Sequence, residues 1–119
     1  MTGGVLIIDD DLMNQKVMTA LLTRSYGITD VYTAIDGKQG IEITLAKSPC
    51  LIFCDNYMPD YNGLAFLKFA QEAGIHTPII MLTGASNLSV ELLSNGATAV
   101  IIKPINRLEL ATLLDKYLI

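Results

Sequence analysis

The feature that most constrains the fold is a set of short aliphatic runs that recur along the chain. Strong runs occupy Val5–Ile8, Leu51–Cys54, Ile79–Leu82 and Ala99–Ile102, and a weaker one occupies Val31–Ile35. Uninterrupted apolar runs of this length are typical of strands that are buried on both faces of a parallel sheet. The sequence therefore predicts a layered domain with such a sheet at its centre.

The segments between these runs carry apolar residues at helical spacing, which predicts five helices. The predicted apolar stripes are Met13, Val17, Ala20 and Leu21; Ile41 and Leu45; Leu64, Phe66 and Leu67; Leu88, Leu92 and Leu93; and Leu110, Leu113, Leu114, Tyr117 and Leu118. Glycines stand where helices are expected to end, at Gly27, Gly74 and Gly96. Expected N-caps are Asp36, Asn62 and Ser86.

Five strands alternating with five helices predict a doubly wound α/β fold of the flavodoxin-like type, with a five-stranded parallel sheet. With 119 residues and no linker or repeat, we expect one domain over residues 1–119. In such folds, ligands bind at the carboxyl ends of the strands, near the point where the strand order reverses.

Polar side chains follow four of the predicted strands at this edge. They are Asp9, Asp10 and Asp11 after the first strand, Asp55 after the third, Thr83 after the fourth and Lys103 after the fifth. Neighbouring carboxylates repel one another unless a cation neutralises them. Because Mg²⁺ prefers oxygen ligands and takes one or two carboxylates beside water and phosphate, the edge is typical of a magnesium site.

The same residue types suit phosphoryl transfer. An aspartate oxygen can act as a nucleophile and form an aspartyl phosphate. A threonine hydroxyl and a lysine ammonium can stabilise the oxygens of the transferred group. Each residue also has an ordinary explanation: Asp11 as a helix N-cap, Thr83 as a turn residue, Lys103 as a solvated charge. The combination on four strands favours a functional site.

Four segments of the chain resemble the landmarks of the response-regulator receiver domain, in the same order and spacing: IIDDD, IFCDNYMPDYNG, MLTGAS and IIKPI. The resemblance covers Val5 to Leu118. It implies that Asp55 accepts a phosphoryl group, that Asp10 binds Mg²⁺ directly and Asp9 through water, and that the carbonyl of Tyr57 completes the ligands. It also implies phosphoryl contacts from Thr83 and Lys103, and a cis bond between Lys103 and Pro104.

By the same resemblance, a histidine kinase or phosphotransfer protein would supply the phosphate. A downstream protein would bind the face formed by the fourth helix, fifth strand and fifth helix. The chain is similar to stand-alone receivers of the chemotaxis type. Two departures affect that face: Val100 stands where the family usually has Tyr or Phe, and the segment from Thr83 to Gly96 leaves little room for a long fourth helix.

Three functions are compatible with this sequence. The first is a phosphorelay receiver, the second an interaction module that signals without phosphate, and the third a Mg²⁺-dependent phosphohydrolase. A phosphohydrolase of this type needs an acid–base Asp two residues after the nucleophile, where this chain has Tyr57. The second function is disfavoured because competent residues fill five site positions, namely Asp9, Asp10, Asp55, Thr83 and Lys103. The receiver function is therefore favoured.

Composition limits the partners. The net charge is −4 and basic stripes are absent, which argues against nucleic acid. No apolar run reaches the length of a membrane span and the start MTGG lacks the features of a signal peptide, so we expect a cytoplasmic protein without membrane contact. Cys50 and Cys54 would lie about 13 Å apart on a strand, too far for a disulfide, and core packing is expected for both.

Overall fold

The computed structural model describes residues 3–56 and 63–118. Five strands form one parallel sheet with the order β2-β1-β3-β4-β5. Their bounds are β1 Val5–Ile8, β2 Val31–Ala34, β3 Leu51–Asp55, β4 Ile79–Thr83 and β5 Ala99–Ile102. The strands match the predicted runs to within one residue at each end.

Five α-helices follow the five strands in alternation, so the predicted fold class is confirmed. They are α1 Leu12–Ala20, α2 Gly37–Lys47, α3 Gly63–Glu72, α4 Ser89–Ser94 and α5 Arg107–Tyr117. Helix α1 runs on into a π-helical turn at Leu21–Ser25, and a 3₁₀ turn at Ser86–Leu88 precedes α4. With six residues, α4 is short, as the sequence predicts.

The sheet separates two apolar cores. Along β1, Leu6 and Ile8 join the core shared with α2, α3 and α4, whereas Val5 and Ile7 join the core shared with α1 and α5. Alternate residues of a strand point to opposite faces, so a strand with no polar residue can serve both cores. Strands β1, β3 and β4 are buried along their whole length.

The strand register brings the predicted site residues to one edge. Ile8 pairs with Cys54, which sets Asp9 beside Asp55. Asp55 in turn pairs with Leu82, the neighbour of Thr83. The strand order reverses between β1 and β3, where a crevice for ligands is expected.

The predicted apolar stripe of α1 is wrong at Met13 and Val17, whereas Leu21 is half-buried against the core. Met13 is 66% exposed and Val17 is 61% exposed, while Gln15, Met18 and Leu22 are buried. The two sets lie on nearly opposite sides of the helix at 3.6 residues per turn. Apolar residues occupy both sides, so spacing alone does not select the buried one.

Two further apolar predictions are wrong for one residue each. Leu45 of α2 is 61% exposed although Ile41 is buried, and Leu93 of α4 is 48% exposed although Leu92 is buried. Leu67 of α3 is buried as predicted. In α5, the packing agrees with the prediction, with Leu110 and Leu114 buried and Leu113, Tyr117 and Leu118 partly buried.

The helix ends agree with most of the predictions. Asp36 caps α2 by accepting a hydrogen bond from the Gln39 amide at 2.8 Å. Gly27, Gly74 and Gly96 have φ values of 67°, 72° and 106°, in the region that favours glycine. Ser86 is not an N-cap, because it lies inside the 3₁₀ turn and Ala85 precedes it. The predicted cap Asn62 lies outside the described residues.

Other predictions concern covalent state and membrane contact. Both cysteines are free; Cys54 is buried and Cys50 partly buried, as expected for residues that pack in or beside a core. Within residues 3–56 and 63–118, none of the helices combines the length and the apolar character that a membrane crossing requires.

The orientation of α1 can be tested with a pair of adjacent residues. Met18→Ala should lower the free energy of unfolding by about 2–5 kcal/mol, because it leaves a cavity in the core. Val17→Ala should change it by about 0.5 kcal/mol at most, because Val17 is exposed. Urea denaturation of both variants measures the difference. A larger loss of unfolding free energy in Val17→Ala than in Met18→Ala would contradict this orientation of α1.

Candidate functional site

Three carboxylates meet at the carboxyl edge of the sheet. Asp9, Asp10 and Asp55 each offer an oxygen within 4.8 Å of the other two. Asp9 and Asp55 are buried, with 4% and 5% of their surfaces exposed, whereas Asp10 is exposed. The cluster therefore has two carboxylates shielded from water and a third open to solvent.

Hydrogen bonds hold Asp9 in place just after β1. Its backbone amide donates to the carbonyl of Ala34 at 2.9 Å, and its Oδ1 accepts from the Asp11 amide at 2.9 Å. Asp11 itself caps α1, accepting from the amides of Met13 at 2.8 Å and Asn14 at 3.2 Å. The alternative interpretation of Asp11 as an N-cap is thus confirmed.

The surroundings of Asp9 raise the pKa of its carboxyl above the ordinary value of 3.8. Burial is the largest cause, and the negative charge of Asp55 adds to it. The hydrogen bond from the Asp11 amide, the Lys103 ammonium and a hydrogen bond from the Asn14 side chain act in the opposite direction. A carboxylate in this position is therefore stabilised by additional positive charge.

Lys103 supplies one positive charge to the cluster. Its Nζ lies 3.1 Å from Oδ1 of Asp55, and its backbone amide donates to the carbonyl of Thr83 at 2.8 Å. One ammonium beside three carboxylates leaves the edge negative, and all three acids offer the oxygen donors that Mg²⁺ prefers. The donor set and its unbalanced charge fit a Mg²⁺ ion.

Thr83 ends β4 next to this cluster and is 3% exposed. Its hydroxyl oxygen accepts a hydrogen bond from the Ala85 amide at 3.1 Å, which links the side chain to the loop that follows. Lys103 and Pro104 are joined by a cis peptide bond, as the resemblance implies.

The structure thus brings four predicted site residues into mutual contact or close proximity, namely Asp9, Asp10, Asp55 and Lys103. Thr83 lies at the same edge through its neighbours in the sheet. The predicted ligand Tyr57 lies outside the described residues.

Sequence reasoning missed Gln15. This side chain is buried on α1, and its amide donates to the carbonyls of Asp9 and Ala34. A signal was available, since Gln15 is a polar residue on the side of α1 that also carries Met18 and Leu22.

A groove of about 650 Å³ adjoins the cluster and runs between α1 and the start of α5. Asp9 and Lys103 lie at the acidic edge, and apolar side chains that include Val17, Leu21 and Ile105 line the groove. Arg24 and Arg107 also line it. The exposed apolar side of α1, to which Val17 belongs, therefore borders the site.

Residues 5–115 match the model of the response regulator receiver domain family. Among curated proteins, the chain is 30% identical over 115 residues to the probable C4-dicarboxylate response regulator DctR of Bacillus subtilis, covering 95% of this chain and 51% of that protein. It is 34% identical to DctR of Halalkalibacterium halodurans, covering 95% and 50%. The chain spans about half the length of these curated relatives.

Solved structures show the same similarity. The chemotaxis response regulator CheY4 of Vibrio cholerae has a TM-score of 0.86 at 26% identity, covering 98% of this chain and 99% of that one. CheY of Borrelia burgdorferi, solved in a complex with CheX, BeF₃ and Mg²⁺, has a TM-score of 0.86 at 26% identity, covering 97% and 88%.

The raised pKa of Asp9 yields a prediction for the metal-free protein. Because the folded-state pKa lies above the unfolded value, the stabilisation from a protonated Asp9 is present below about pH 3.8 and lost as the pH rises through the folded-state pKa. An asparagine at this position carries no charge at pH 7, so it avoids the cost of burying a carboxylate. The Asp9→Asn variant should therefore melt at a higher temperature than the wild type at pH 7. The difference should shrink as the pH falls toward 4.

Thermal denaturation with Mg²⁺ provides the control for this prediction. Millimolar Mg²⁺ should raise the melting temperature of the wild type by linkage and that of Asp9→Asn by less. A variant that is less stable than the wild type at pH 7 without metal would contradict the electrostatic interpretation of Asp9.

Proposed function

The chain belongs to the response regulator receiver domain family of two-component systems, and from that membership we propose that it accepts a phosphoryl group on Asp55 in a Mg²⁺-dependent reaction. The observation that carries the proposal is the position of Asp55. Its carboxylate is buried at the end of β3, lies 3.1 Å from the Lys103 ammonium and shares a cluster with Asp9 and Asp10.

In the proposed reaction, a carboxylate oxygen of Asp55 attacks the phosphorus atom of a phosphohistidine on the donor protein. An O–P bond forms, the P–N bond breaks, and its electron pair passes to the imidazole nitrogen. The product on this chain is an acyl phosphate. Attack by water later transfers the phosphoryl group to a water oxygen and regenerates the carboxylate.

Lys103 and Thr83 would stabilise the transferred group. The Lys103 ammonium already contacts the nucleophile, so a short movement would bring it to a phosphoryl oxygen. The Thr83 hydroxyl would donate to another oxygen from the adjacent strand. Both groups are held at the carboxyl edge of the sheet, on the strand next to β3 and just after β5.

Asp9, Asp10 and Asp55 would hold the metal ion, with the backbone carbonyl of Tyr57 as a further ligand. When bound, Mg²⁺ supplies positive charge that stabilises the oxygens of the transferring phosphoryl group. The negative charge left at the edge beside Lys103 supports this assignment. The capture of a relative with BeF₃ and Mg²⁺ also supports it.

Receiver domains act between a phosphodonor and a downstream effector. The proposed donor is a histidine kinase or phosphotransfer protein, and its docking surface is the exposed apolar side of α1. Leu12, Met13 and Val17 are more than 60% exposed there, at 62%, 66% and 61%. This side borders the groove beside the acidic edge, so a protein bound to it could reach Asp55.

The proposed surface for the downstream protein is formed by α4, β5 and α5. Val90 is 77% exposed, Leu93 48% and Ile102 38%, so the surface offers apolar area to a partner. Val100 lies partly buried against the core on the same strand as Ile102. The departures from the family pattern therefore fall on the proposed output surface.

Asp55→Asn tests the nucleophile. Incubation of the wild type with a small-molecule phosphodonor and Mg²⁺ should add a single acid-labile phosphoryl group, seen by intact mass, and omission of Mg²⁺ should suppress it. The variant should fold normally and show no addition. Asp115→Asn, a change on an exposed residue of α5, is the matched control and should react like the wild type. Equal incorporation into Asp55→Asn would refute the assignment.

A second prediction concerns the response to phosphorylation. Movement of Thr83 toward a phosphoryl group would disturb its hydrogen bond with the Ala85 amide, so the loop at 84–88 should rearrange. The new bond to a charged acceptor is worth about 1.5–3 kcal/mol. Val100 is stiff at χ1 and too small to fill the space that Thr83 leaves, so it should keep its rotamer.

NMR spectra with and without beryllofluoride and Mg²⁺ measure this response. The amide signals of residues 84–88 should shift strongly, while the methyl signals of Val100 should report an unchanged rotamer. A rotamer change at Val100 with static amides in the loop would contradict the predicted route.

A further inference from the structure

Gln15 is a buried polar residue to which the proposed chemistry gives no role. It lies in the first half of α1, 6% exposed, between the helix and the sheet. Its Nε2 donates two hydrogen bonds, to the carbonyl of Asp9 at 2.7 Å and to the carbonyl of Ala34 at 2.9 Å. Both hydrogens of the amide are therefore used on main-chain acceptors.

These bonds join three elements at one point. Asp9 immediately follows β1, Ala34 ends β2, and Gln15 belongs to α1. The Asp9 amide also donates to the Ala34 carbonyl at 2.9 Å. Both main-chain polar groups of Asp9 are thus fixed, its amide by Ala34 and its carbonyl by Gln15.

The Asp9 carbonyl belongs to the peptide group that connects Asp9 to Asp10. A peptide group is planar, so a bond that holds its carbonyl also fixes the direction in which the chain enters Asp10. Asp9 and Asp10 lie at the two ends of this peptide group, and their carboxylates belong to the same cluster. The hydrogen bond from Gln15 thus restrains the peptide group from which both acids extend.

We propose that Gln15 is a positioning residue for the metal site, acting through the Asp9–Asp10 peptide group and without contact to the ion. The inference rests on the proposed function, because it assumes that Asp9 and Asp10 hold Mg²⁺. Residues behind the ligands commonly set metal affinity by fixing ligand orientation. Carboxylates that must converge on one ion tolerate displacements of only about 0.5 Å.

A second buried polar residue provides the contrast. Thr44 is 5% exposed, and its hydroxyl donates to the carbonyl of Gly40 at 2.7 Å within α2. That bond is local to one helix and does not involve the acidic edge. Loss of either side chain's hydrogen bonds should destabilise the fold, but only loss of the Gln15 bonds should change the geometry of the acids.

The test compares Gln15→Met with Thr44→Val. Methionine has nearly the volume of glutamine and lacks the donors, so the variant leaves two buried carbonyls without a side-chain partner. Calorimetry should show Mg²⁺ binding weakened about tenfold in Gln15→Met. Thr44→Val should lower the melting temperature while keeping the Mg²⁺ affinity of the wild type. Amide signals of Asp10 and Asp11 should shift in the first variant only.

The wild type offers a measurement that does not depend on a folded variant. The side-chain amide protons of Gln15 should exchange slowly with solvent, and their signals should shift during a Mg²⁺ titration. The positioning role would be overturned if Gln15→Met bound Mg²⁺ with an affinity within twofold of the wild type. It would also be overturned if the side-chain amide signals of Gln15 did not shift on addition of Mg²⁺. A wild type that does not bind Mg²⁺ would instead refute the proposed function.

Discussion

Electrostatic repulsion at the carboxyl edge of the sheet is the constraint on which the rest of this molecule depends. Asp9 and Asp55 are buried beside each other, Asp10 lies within reach of both, and Lys103 offsets part of their charge. Such an arrangement costs stability unless a rigid frame holds it and a cation balances it. Three wholly buried strands and the bonds around Asp9 supply the frame.

The strands and the site could be predicted from sequence because both depend on local patterns. An uninterrupted run such as Val5–Ile8 has few alternatives to a buried strand, and polar residues that follow parallel strands meet at one edge. The side of α1 that packs on the sheet could not be predicted, because Val17 and Met18 are adjacent apolar residues on different sides. The proposed role of Gln15 depends on the carbonyls of Asp9, just after β1, and of Ala34 in β2, which no spacing rule identifies.

The candidate site and the two departures from the family pattern lie in different parts of the molecule. The short helix α4 and Val100 contribute no side chain to the cluster of Asp9, Asp10 and Asp55. Thr83 connects the two regions through its bond with the Ala85 amide and its place beside β5. Because β5 carries Val100 in place of an aromatic residue, we expect phosphorylation to be signalled by backbone rearrangement after β4.

We propose that the three carboxylates form one Mg²⁺ site whose affinity comes from their joint charge. Calorimetric titration of the wild type and of Asp10→Asn with Mg²⁺ tests it most directly, because Asp10 is the exposed acid and its loss leaves the buried pair with Lys103. One ion should bind per wild-type chain, and the variant should bind Mg²⁺ at least about tenfold more weakly. Equal affinity in the two proteins, or no binding by the wild type at millimolar Mg²⁺, would contradict it.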